Sequence, residues 1–143
     1  MKRRLTTWIF ITGTAIALTA CGWTKQETAK QWLDSFPQDT QVDVGGKWAD
    51  PGGGYDNNTG SPYGLSWMLL FQNGNKISGI FRGKEVMGVV SQENIYLTAI
   101  EAGVVCFTVH LTYDQKTKAM AGKICDYYCP QIKSDCQSIA FMQ

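Results

Sequence analysis

The 143-residue chain is expected to fold as an all-β domain: a small eight-stranded antiparallel meander barrel, preceded by a short amphipathic helix and stapled by two disulfides. Three observations carry this expectation. From Val42 onward, short apolar-rich runs recur between turn residues. The turn dipeptides Asn73-Gly74 and Gly83-Lys84 separate runs of matched length. Four cysteines, Cys106, Cys125, Cys129 and Cys136, crowd the C-terminal part, an even number of the kind that makes bridges.

Before the barrel comes a segment of different character. Lys2, Arg3 and Arg4 precede an uncharged, strongly apolar run from Leu5 to Ala20, the n-region and h-region of a secretory signal. Five threonines and a glycine interrupt this run, so it is a poor membrane span, which needs about 20 apolar residues. Leu18-Thr19-Ala20-Cys21 resembles the lipobox of bacterial lipoproteins, cut just before a lipid-modified cysteine. The resemblance implies residues 1–20 as signal peptide, acylation of Cys21 and a lasting membrane anchor. In Gram-negative families an aspartate after the cysteine retains the protein at the inner membrane. Gly22 at that position implies the outer membrane, with periplasmic or surface exposure left open.

Residues 21–41 form the tether. Thr24-Lys25-Gln26-Glu27 has the form of a capping box. Ala29, Trp32, Leu33 and Phe36 follow at helical spacing, and Pro37 stops the run, so a helix spans about 25–36. Residues 42–143 are the barrel domain, with strands near 43–49, 65–72, 75–82, 85–91, 94–101, 103–113, 118–125 and 137–142. The Gly-rich stretch Pro51 to Gly64 between the first two is a long loop.

Turn chemistry sets the expected registers. A two-residue turn at Asn73-Gly74 pairs Leu70 with Ile77 and Trp67 with Ile80. A type II′ turn at Gly83-Lys84 pairs Ile80 with Met87 and Gly79 with Gly88. The facing glycines mark either a tightly bent barrel corner or a slot for a ligand or partner backbone.

These strands are apolar on both faces. Met68, Leu70, Ile77, Phe81, Val86 and Val90 line one side; Trp67, Leu69, Phe71, Ile80, Met87 and Val89 line the other. A sheet with one wet face alternates apolar and polar, so something covers the second set. The helix carrying Trp32, Leu33 and Phe36 is the nearest cover for the row Trp67–Ile80–Met87; otherwise the row is a partner or ligand surface. Trp48, Tyr55 and Tyr63 are candidates for the barrel mouth.

A turn at Asp114–Thr117 pairs Tyr113 with Lys118 and sets Cys106 opposite Cys125. The expected bridges are Cys106–Cys125 and Cys129–Cys136. A zinc site is the competing use of four thiolates, but paired Cys-x₂-Cys knuckles are missing.

Enzymatic chemistry has little to work with. His110 is a lone mid-strand histidine, no nucleophile elbow or phosphate loop occurs, and Asp50 and Asp56 lack a desolvating setting. No cofactor and no metal are expected. Removing the 20-residue signal leaves 123 residues; three of the 13 basic residues leave with it and all 12 acidic ones stay, so the mature charge is −2. That argues against nucleic acid as a partner.

Gly46-Lys47-Trp48 resembles the Gly-x-Trp signature on the first strand of lipocalin- and avidin-like barrels, and Gly74 to Gly79 is similar to their glycine-bounded second hairpin. The resemblance implies a calycin-type barrel. The later lipocalin motifs are missing, and Asp50 and Gly52-Gly53-Gly54 stand where avidin-like chains carry Asn and Gly-Ser, so no ligand residues carry over.

Two functions follow as expectations. One is a non-catalytic protein-interaction or structural accessory module of the envelope, which includes inhibition of an envelope-degrading enzyme. The other is a binder of a small apolar ligand or lipid. A barrel this narrow is normally filled by its own side chains, which favours interaction.

Overall fold

Every second residue of each strand turns to the barrel axis, and the strands close on one another in chain order. The computed structural model describes residues 26–51, 67–128 and 133–143. It contains α1 (Gln26–Asp34) and eight strands: β1 (Gly46–Ala49), β2 (Trp67–Asn73), β3 (Lys76–Phe81), β4 (Lys84–Ser91), β5 (Asn94–Glu101), β6 (Val104–Asp114), β7 (Ala119–Tyr128) and β8 (Lys133–Met142). All neighbours are antiparallel, and β1 closes the barrel on β8 through Ala49 opposite Met142. The eight-stranded antiparallel barrel expected from the sequence therefore holds, with β1 starting three residues later and β8 four residues earlier than expected.

The lumen is packed with side chains. Phe81 of β3 meets Phe107 of β6 and Phe141 of β8 edge-on, with centroids 5.6 and 5.5 Å apart. These strands are not neighbours, so the rings touch across the axis. Met68, Leu70, Leu97, Leu111, Met120 and Ile124 fill the space around them and are buried.

One end is closed by the segment leading into β1. Thr40 bridges Gln92 in parallel, and its hydroxyl donates to the Val90 carbonyl at 3.0 Å. Val42 and Val44 then drop into the core. The Gln72 side chain acts as a piece of strand towards this segment. Its carbonyl accepts from the Val44 N–H (2.7 Å), and its amide donates to the Val42 carbonyl (2.9 Å). Trp48 plugs the same end, its indole N–H donating to the Val44 carbonyl (2.9 Å) and its ring meeting Tyr113 edge-on. Trp48 is thus a fully buried plug at that end of the barrel. Tyr55 and Tyr63 lie outside the described residues.

Three expected registers are each displaced by two residues. In the β2–β3 hairpin Asn73 pairs with Lys76, and the turn is Gly74-Asn75. Only Gly74 carries positive φ (60°), the type II′ pattern. In the β3–β4 hairpin Phe81 pairs with Lys84, with Arg82 (φ 54°) and Gly83 (φ 71°) in the turn, the type I′ pattern. Left-handed backbone at a non-glycine costs about 1–2 kcal/mol. Arg82 offsets this cost by pairing with Asp126 at 2.7 Å and lying over the Phe107 ring. A shift of two preserves which face each residue takes, so the division into inner and outer sets survives.

The glycine pair is replaced by another arrangement: Gly79 faces Leu70 and Val86, while Gly88 faces Ile77 and Leu97. A Cβ on Gly79, Gly88 or Gly122 would fall 2.0, 2.1 or 1.9 Å from a carbonyl oxygen of the neighbouring strand. These are bent positions where backbones approach. The space that a slot would need is occupied by the neighbouring strand.

The cysteine pairing also differs. Asp114 pairs with Ala119, and its carboxylate accepts the Lys116 N–H at 2.9 Å, so the turn is Gln115–Lys118. Thr108, not Cys106, consequently faces Cys125. Cys125 is bonded to Cys136, directly opposite on β8, with a Cα–Cα distance of 4.1 Å. Cys106 is free, at a β-bulge between the Ala99–Phe107 and Ile100–Val105 pairs. The expected Cys106–Cys125 and Cys129–Cys136 bridges are therefore wrong, and a zinc site using all four thiolates is removed with them. Cys129 itself lies outside the described residues.

Candidate interaction surface

The outer face of β2 to β4 carries the residues singled out from the sequence. Outward residues of adjacent strands sit in rows across the ladder: Leu69 beside Ile80, and Phe71 beside Ser78 beside Met87. Trp67 sits at the start of β2, opposite Ala49 of β1. The single row Trp67–Ile80–Met87 expected from the hairpins is thus staggered over three rows by the register displacement.

Helix α1 covers the next part of this face. Phe36, just beyond the helix, stacks flat on Tyr96 of β5, with centroids 3.6 Å apart, and Trp32 meets the same ring edge-on. Tyr96 in turn stacks on His110 of β6 at 4.6 Å. Ala29 and Leu33 are buried, and Val89 beside them is only 1% exposed. Lys76 of β3 pairs with Asp34 at 3.3 Å, and the Asn75 amide donates to Gln38.

The helix stops short of the expected stripe. Trp67, Ile80 and Met87 remain 37% exposed and Phe71 59%. Leu69 is half-buried between them. Of the six residues expected on the surface, only Val89 is removed by helix docking. Helix cover and open apolar surface were alternatives for the whole face; the structure has both, side by side. A groove of about 260 Å³ marks the border, with Lys30 and Leu33 on the helix side and Lys76, Met87 and Val89 on the sheet side.

His110 is positioned structurally. Its Nε2 is 3.0 Å from Asn94 Oδ1, and Thr112 donates to the same oxygen. Burial of its ring face lowers its pKa from the ordinary 6.5.

A second concavity lies at the barrel end that holds the β3–β4 and β5–β6 turns. It measures about 470 Å³ and is lined by Arg82, Lys84, Cys106, Phe107, Asp126 and Tyr127, among others. The Lys84–Glu101 pair raises the lysine pKa and lowers that of the carboxyl, with their hydrogen bond as the main cause. The sequence left Arg82, Asp126, Lys30, Lys76 and Tyr96 without a role. Each matters through a partner at least 40 residues away or on another element, and no local pattern marks such a pair.

Among the described residues no cluster of three His, Cys, Asp or Glu side chains is arranged for a metal. No helix among them is long and apolar enough to cross a membrane. No family model matches the chain, and comparison with curated proteins and with solved structures returned no match.

Proposed function

We propose that the chain is a lipid-anchored bacterial envelope lipoprotein, acting as a non-catalytic interaction or structural accessory module. Its contact surface is the uncovered stripe of Trp67, Phe71, Ile80 and Met87. The single observation behind this is that four large apolar side chains stay in water beside a helix that covers their neighbours. Fully burying one such side chain is worth about 1.5–3 kcal/mol, so leaving four outside has a use elsewhere. The basic cap, apolar run and Leu18-Thr19-Ala20-Cys21 box support anchoring at Cys21, and Gly22 supports the outer membrane.

Binding of an apolar ligand within the barrel is the weaker reading. The phenylalanine cluster occupies the axis, and the cleft at the turn end is lined by charged pairs.

The test combines two variants. Cys21→Ser should abolish acylation, seen in the mass of the N-terminal peptide, and release the protein from membranes. Replacing Trp67 and Met87 by Ser should leave stability within about 0.5 kcal/mol yet abolish recovery of crosslinked envelope components. A Cys21→Ser chain that is still acylated and membrane-bound refutes the anchor, and unchanged crosslinking in the double variant refutes the surface.

A further inference from the structure

Resting on the lipoprotein reading, we infer that the Trp67–Phe71–Ile80–Met87 stripe seats against the bilayer surface into which the Cys21 anchor inserts. The occupant of the stripe is phospholipid at the headgroup boundary.

Tether length is the first argument. Lys30 borders the groove that contains Met87. From Lys30 back to Gln26 is about 6 Å of helix. From Gln26 back to Cys21 is five residues, at most about 18 Å of fully extended chain. An acylated Cys21 thus holds the groove within a short reach of the headgroups. A barrel so tethered has little room to place a sizeable partner between itself and the membrane.

Composition is the second. Tryptophan with other large apolar side chains, flanked by lysines whose stems extend to anionic groups, is the chemistry of a membrane interface. Lys30, Lys47 and Lys76 flank this face, Lys47 lying opposite Leu69 and Lys76 in the groove. Against them stand Asp34, already paired with Lys76, Glu85, opposite Ile80, and Glu27, one helical turn before Lys30. Three lysines and three carboxylates leave the face without net charge, within a mature chain whose net charge is −2, so headgroups meet no repulsion at this side.

Area is the third. A stable protein interface takes about 20–30 residues a side. Four protruding side chains are too few for a self-sufficient dimer but suit shallow insertion by a protein already held at the membrane.

Hydroxyl-radical footprinting of the mature acylated protein tests this directly. It would be placed in vesicles of phosphatidylethanolamine and phosphatidylglycerol, with the mature-length Cys21→Ser chain in solution as reference. A soluble methionine-containing peptide added to both samples is the reference for Met87, because Met142 shares the outward row of Trp67 across Ala49. In vesicles the oxidation rate of Met87 relative to that reference should fall roughly fivefold, with Trp67 following, because an interfacial face is buried about 5–10 Å into the headgroup region. Changing Lys30, Lys47 and Lys76 to Glu should restore much of the oxidation. Equal Met87 to reference ratios in vesicles and in solution overturn the inference. Protection in whole envelopes but not in pure lipid vesicles also overturns it, in favour of a protein partner. A chain whose N-terminal peptide carries no acyl mass removes the lipoprotein reading and this one together; an acylated chain with unprotected Met87 removes this one alone.

Discussion

Phe36 lies flat on Tyr96, with ring centroids 3.6 Å apart and planes within 8° of each other. That stack, continued by His110 and edged by Trp32, fastens the helical tether to the outside of β5 and β6. Aromatic pairs contribute about 0.5–1.5 kcal/mol beyond their area burial. Phe36→Ala should therefore destabilise the domain by about 2–4 kcal/mol, near the range for losing a large aromatic. Urea unfolding monitored by circular dichroism checks the magnitude, and hydrogen exchange should show faster opening of residues 27–34. Unchanged exchange there would mean the helix is held by something else.

Gln72 closes the barrel end by satisfying backbone groups of Val42 and Val44. Gln72→Ala leaves a donor and an acceptor without partners, at about 1–3 kcal/mol for each one left buried. The melting temperature should drop by several degrees. Gln72→Glu keeps the acceptor but loses the donor, so it should be less damaging than Ala only at pH values where the carboxyl is protonated.

Peptide mapping under non-reducing conditions should recover Cys125 linked to Cys136, the pair that faces across β7 and β8. Cys136→Ser should cost about 2–5 kcal/mol, as loss of a native bridge does in small exported domains. Recovery of Cys106 linked to Cys125 would instead require the β6–β7 ladder to slip by two residues, with the turn at Asp114–Thr117.

At Gly122 a Cβ would sit 1.9 Å from the His110 carbonyl oxygen, backbone that cannot swing aside. Gly122→Ala should exceed the ~1–3 kcal/mol typical of overpacking and is expected to prevent a native-like barrel. Gly74→Ala meets no neighbour within 4 Å and has only its φ of 60° to contend with, so it should cost about 1–2 kcal/mol. Thermal unfolding of the two variants side by side checks the contrast.

Acidification should weaken the fold through His110. Burial against Tyr96 lowers its pKa below the ordinary 6.5, so the unfolded chain takes up a proton at a pH where the folded one stays neutral. The associated stability is full above the unfolded pKa and declines as pH falls below it, until the folded group also protonates. Denaturant midpoints should decline between about pH 7 and pH 5 in the native protein and decline less in His110→Gln. The carboxyls of Glu101 and Asp114, whose pKa values are lowered by hydrogen bonds, add their losses further down.

Much of this architecture could be read from residue order alone. Most strand positions, a helix ahead of Pro37 and the split into inner and outer faces follow from period-two and helical spacing, which a chain expresses locally. Met68, Leu70, Ile77 and Phe81 are buried as their alternation implies, and Trp67, Phe71, Ile80 and Met87 point outward as theirs does. Tertiary structure decided the registers, and with them the disulfide. Turns of two residues at Gly74-Asn75 or at Asn73-Gly74 are both chemically acceptable, and a slip of two keeps every side chain on its own face. Only closure of the whole barrel chooses between them, because Gly79, Gly88 and Gly122 must fall where neighbouring backbones press closest. The position of the helix was decided in the same way: its apolar side was evident, but whether it would lie on Met87 or on Tyr96 depended on strands that the chain brings together only when it closes.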